Sequence, residues 1–195
     1  MKKEDIYKSL SVRVLNRRQK KDIEGIAPYV SVVGIPTACF YRTGIGHMHP
    51  VTFDDLECLG ITERELFRTA YCRTQEDHPA LFTRICDLAG LDVPEDMERD
   101  IFVLTNWEVR YGACVLFYPG AASSIANILG GSYYILPSSV HDLVIVPDKG
   151  IMSVGEMYEM VCDINKDVPE EDQLADAVFF YSAGGRELMC VAGGC

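Results

Sequence analysis

The chain has 195 residues, 48% hydrophobic and 24% charged, with a formal net charge of −11. Such a composition supports a buried core and excludes a disordered or low-complexity chain. No apolar run approaches the roughly 18 residues that span a bilayer, and MKKEDIYKSLSVRVL lacks the apolar stretch of an export signal, so the expected setting is cytoplasmic.

The first 21 residues carry a charge of +6 and the remainder −17. Ile6, Leu10 and Val14 recur every fourth residue, the spacing of a core-facing helical stripe, so residues 1–28 are expected as a basic N-terminal helix. Arg17, Arg18, Lys20 and Lys21 are the cations that would meet phosphate if nucleic acid bound here. The acidic body argues against nucleic acid as the partner. The sequence leaves the partner unknown, with another protein as one candidate and no membrane association expected.

Residues 29–42, YVSVVGIPTACFYR, predict one or two strands broken between Gly34 and Pro36. After the TGIGHMHP loop, Thr52 with Asp55 and Thr62 with Glu65 form capping-box pairs that open two helices. A third helix is expected from Asp77–Pro79, burying Leu81, Phe82, Ile85 and Leu88 and ending at Gly90. DVPEDMERD reads as an acidic joint. Beyond it, IFVLTN and RYGACVLFY are expected as two strands meeting near Asn106 and Trp107.

GAASSIANIL predicts a helix ending at Gly130–Gly131, and YYIL and LVIV predict strands. Ser153 with Glu156 opens a last helix. AVFFYS and RELMCVA form a terminal hairpin around SAGGR. The predicted fold class is α+β, an N-terminal helical segment followed by a mainly antiparallel sheet with packed helices. Residues 29–195 read as a single domain, helical to residue 91 and sheet-rich from residue 101.

None of the eight cysteines forms a C-x-x-C pair, which removes the usual zinc and thioredoxin-like patterns. They are expected as reduced thiols. No phosphate-loop glycine pattern is present, and no cofactor or metal is expected. His47 and His49 sit at i and i+2 in GHMHP, but two ligands do not make a metal site.

PSSVHD places Ser138, Ser139, His141 and Asp142 between two apolar runs. These are residue types of a hydrolase, with Ser138, Ser139 or Cys114 as nucleophile and His141 as general base. Triad members normally meet through the fold, and no Gly-x-Ser-x-Gly elbow is present. The competing reading is a corner in which the serines bond the local backbone and His141 begins the next strand. In TNWEVRYG, Trp107 and Arg110 are residue types favoured in binding hot spots.

The span FVLTNWEVRYGACVLFYPGAASSIANILGGSYYILPSSVHDLVIVPD resembles a family of uncharacterised bacterial proteins. The resemblance lies in Leu104-Thr105-Asn106, Arg110, Gly112-Ala113, Tyr118-Pro119-Gly120, Gly130-Gly131 and the run from Tyr134 to His141. It covers residues 10–181 and implies no activity, since the family has none assigned. The leading expectation is therefore a non-catalytic binding or interaction module presenting Asn106, Trp107, Arg110, Ser138, Ser139 and His141. A Ser- or Cys-dependent hydrolase is the alternative.

Overall fold

The computed structural model describes residues 3–43, 47–90, 100–137 and 139–194. Its architecture is α+β, with two antiparallel sheets and helices packed on them.

The segment expected as one basic helix, residues 1–28, does not form one among its described residues. It forms α1 (Lys3–Lys8), β1 (Ser11–Val14) and α2 (Arg17–Ile23). A step of four residues suits a strand as well as a helix, so Ile6, Leu10 and Val14 fit either period. Pairing decides it: Val12 and Val14 lie opposite Cys39 and Thr37, and both valines are buried. Asn16 then opens α2 with a capping box completed by Gln19.

β2 (Tyr29–Val32) and β3 (Ile35–Thr43) form a hairpin. Its two central residues, Val33 and Gly34, both have positive φ, the turn that matches strand twist. β4 (His47–Pro50) follows β2 along the same side of β3, and β1 takes the other side. α3 (Phe53–Leu59) and α4 (Glu63–Asp77) start at Thr52 and Thr62 with capping boxes formed as expected. One face of this four-stranded sheet buries Val12, Cys39 and Tyr41 against Leu66, Phe67 and Ala70.

The expected third helix is half strand: β5 (Ala80–Arg84) precedes a short α5 (Ile85–Ala89) that stops at Gly90. β5 pairs residue for residue with β6 (Phe102–Asn106), and Phe82 stacks on Phe102 at 5.0 Å. The acidic joint lies outside the described residues. Gly112–Phe117, expected as a strand, is a 3-10 helix instead. Ala113 to Leu116 are all buried, and the Gly112 and Ala113 amides bond the His141 and Val140 carbonyls of the neighbouring corner rather than a strand ladder.

α6 (Ala121–Leu129), β7 (Tyr133–Leu136), β8 (Leu143–Pro147), α7 (Val154–Asp167), β9 (Ala177–Ser182) and β10 (Glu187–Gly193) complete the chain. The six-stranded sheet runs β10-β9-β7-β8-β6-β5. Ile135, Ile145 and Phe179 face the 3-10 helix and α6 on one side. Leu136, Val146 and Val178 face Met157 and Val161 of α7 on the other. Coverage on both sides explains the unbroken apolar run LVIV. No helix among the described residues is long and apolar enough to cross a membrane.

Among the described residues six cysteines are free, and Cys190 is disulfide-bonded. That corrects the expectation of reduced thiols at one position, on the outermost strand of the larger sheet.

Candidate functional site

The two sheets approach each other where β1 meets the 3-10 helix, and a cleft of about 650 Å³ opens beside that contact. Its walls are β1, the ends of β3 and β4, the end of α4, and the turn from Asn106 to Tyr111.

That turn is built from Asn106, which is 2% exposed. Its amide nitrogen donates to the Arg110 carbonyl at 2.9 Å, and its Oδ1 accepts from the amides of Glu108 and Arg110 at 3.2 Å. Val109 and Tyr111 hold left-handed backbone at φ 51° and 55°. Such geometry is unfavourable for a β-branched or bulky residue by about 1–3 kcal/mol and persists only where surrounding bonds impose it. The result presents Arg110 to the cleft and leaves Trp107 69% exposed beside it.

The turn is anchored from behind by the corner containing His141. The His141 carbonyl accepts from Thr105 Oγ1 at 2.8 Å and from the Gly112 amide at 2.9 Å. A Cβ on Gly112 would lie 2.2 Å from Thr105 Oγ1, so only glycine fits this approach. His141 Nδ1 accepts from the Tyr111 amide at 3.0 Å, and Nε2 faces Asp172 Oδ1 at 3.2 Å. This pattern assigns the proton to Nε2.

Tyr111 passes the constraint onward. Its ring lies 5.2 Å from the imidazole and carries the Arg13 guanidinium 3.9 Å from its centroid. Burial pushes the Arg13 pKa down from its ordinary value, and the neighbouring Arg110 charge acts in the same direction.

The structure brings Asn106, Arg110 and His141 together through this turn. Ser139 lies on the far side: its hydroxyl accepts from the amides of His141 and Asp142 at 3.0 and 3.2 Å and donates to Asp142 Oδ1 at 3.3 Å. Ser138 lies outside the described residues. Cys114 is buried, its thiol donates to the Tyr111 carbonyl at 3.2 Å, and burial pushes its pKa up to about 12. A thiol so protonated is a poor nucleophile. His47 lines the cleft and His49 packs near Tyr41, and no group of three metal-ligating side chains occurs among the described residues.

Ser11, Arg13, Arg42, Tyr111 and Asp172 were not legible as site residues. The alternation Ser11-Val12-Arg13-Val14 was the available signal, hidden because the segment read as helix.

The family model described as a family of unknown function (DUF5688) matches residues 3–183, and the chain belongs to that family. No curated protein and no solved structure matches the chain.

Proposed function

We propose that this member of a family without an assigned function is a non-catalytic binding module whose ligand enters the cleft beside β1. The observation that carries the reading is the chain of contacts from Asp172 through His141 and Tyr111 to Arg13. It leads from a structural corner to a charged group on the cleft wall, and such supported placement is what a binding site needs.

Asn106 and Arg110, expected in the binding surface, lie on the cleft wall, and Trp107 is adjacent on the turn. Ser139 and His141 act behind that wall as positioning residues. Engagement of both His141 nitrogens and of the Ser139 hydroxyl supports binding over hydrolysis. A cytoplasmic setting is part of this proposal; the six free thiols among the described residues fit it, whereas the disulfide at Cys190 does not.

The test is a small-molecule library screened by NMR on the labelled full chain. Hits are expected to move the Met48 methyl and Tyr111 amide signals together, since both residues line the cleft. Hits that cluster elsewhere, or covalent labelling of Ser138, Ser139 or Cys114 by a serine or cysteine hydrolase probe that vanishes in His141→Ala, would count against it.

A further inference from the structure

Ser11 is 9% exposed, its hydroxyl has no hydrogen-bond partner among the described residues, and it lines the cleft. A buried hydroxyl without a partner costs free energy, so its persistence there calls for an explanation. Strand register supplies the setting. Ser11 lies opposite Phe40 and Arg13 opposite Ala38, so Ser11, Arg13 and Arg42 share one face of the smaller sheet. Arg110 lines the same cleft from the turn.

Two carboxylates, Asp77 and Glu108, line the same cleft. Asp77 pairs with Arg73 at 3.4 Å, and Glu108 lies 2.8 Å from His78 Nδ1. Among the described residues no ion pair reaches Arg13, Arg42 or Arg110. In a protein of net charge −11, three guanidinium groups line one cleft without an ion pair to a carboxylate among the described residues.

Resting on the binding-module reading, we propose that the cleft takes a small molecule through a carboxylate or phosphate oxyanion, held by Ser11, Arg13, Arg42 and Arg110. Guanidinium forks match the paired oxygens of such groups, and the Ser11 hydroxyl supplies a further donor. The cleft volume of about 650 Å³ suits a small ligand. The acidic body disfavours a long polyanion.

Trp107 is the only tryptophan and sits between Asn106 and Glu108 of the cleft wall, so its emission reports on the site. The full chain is titrated with inorganic phosphate, with succinate, and with glucose as a neutral control, by Trp107 fluorescence and calorimetry. One anion is expected to saturate in the millimolar range or below, more weakly as salt rises. Arg13→Gln and Arg110→Gln are each expected to weaken it about tenfold or more. Ser11→Ala is expected to weaken it while leaving the thermal midpoint unchanged or raised, which separates lost binding from lost folding. Arg64→Gln, an exposed cation on α4, is expected to change nothing.

Saturation by phosphate alone marks a phosphorylated ligand, and by succinate alone a carboxylate. Failure of both anions to saturate overturns the oxyanion assignment. Glucose binding with the same sensitivity to the cleft variants also overturns it and leaves the binding module standing. Anion binding indifferent to every cleft variant overturns both.

Discussion

Thr105 Oγ1 donates to the backbone carbonyl of His141 at 2.8 Å, and the two residues are 36 positions apart in the chain. This bond ties the end of β6 to the corner between β7 and β8. The Gly112 amide uses the same carbonyl, and the Ala113 amide bonds Val140. Residues from three separate sequence segments thereby fix the turn that forms one wall of the cleft.

Gly112 is the tightest point of that junction. In Gly112→Ala the new methyl would meet Thr105 Oγ1 at 2.2 Å, the Asn106 nitrogen at 2.5 Å and the His141 carbonyl at 2.8 Å. Two of these are backbone atoms that cannot rotate away. A loss of about 3 kcal/mol in urea unfolding is expected; a loss below about 1 kcal/mol would show that the junction gives way easily.

Adjacent residues in the turn should behave oppositely. Asn106→Ala removes the acceptor of two amides and the donor to the Arg110 carbonyl, and about 2 kcal/mol of stability should go with them. Trp107→Ala removes a side chain that is 69% exposed, and a change within about 0.5 kcal/mol is expected. Paired thermal melts decide the point, and equal effects would contradict it.

His141→Ala strips the Tyr111 amide of its acceptor and Asp172 of its partner. A cost of about 2 kcal/mol is expected. Because Tyr111 supports Arg13, amide exchange across residues 106–112 should also speed up. Unchanged exchange there would remove His141 from its positioning role.

Thiol reactivity should follow burial. Cys58 and Cys72 are exposed and should react promptly with a disulfide reagent, whereas Cys39 and Cys114 are buried, with thiol pKa values pushed up by burial. The latter pair should react only on unfolding. Mass mapping after a short exposure checks this, and early modification of Cys114 would contradict the packing of the 3-10 helix.

Alkaline pH should destabilise the fold through its buried tyrosines. Burial pushes the Tyr71 hydroxyl up to about 12 and those of Tyr118 and Tyr133 higher still. The unfolded chain releases these protons from about pH 10, while the folded chain retains them. Their stabilising contribution is therefore complete below about pH 10 and declines as pH rises through the folded-state values. Urea midpoints measured either side of pH 10 should fall, with tyrosinate absorbance from these residues appearing in step with unfolding. A flat midpoint would refute the burial argument.

The sequence by itself determined the features fixed by bonds within a few residues. The capping boxes at Thr52, Thr62 and Ser153, the helix ending at Gly130 and the hairpin between β9 and β10 all form as their residues predict. Tertiary structure decided the elements whose local pattern fits two periods or none. Val12 and Val14 suit helix and strand alike until β3 pairs with them, Ala80–Arg84 becomes a strand because β6 lies beside it, and Gly112–Leu116 packs as a buried 3-10 turn between the sheets. The cleft belongs to that second class. Ser11 and Arg13 face Arg110 only because long-range pairing turns β1 toward the corner held by His141, and no spacing along the chain encodes that meeting.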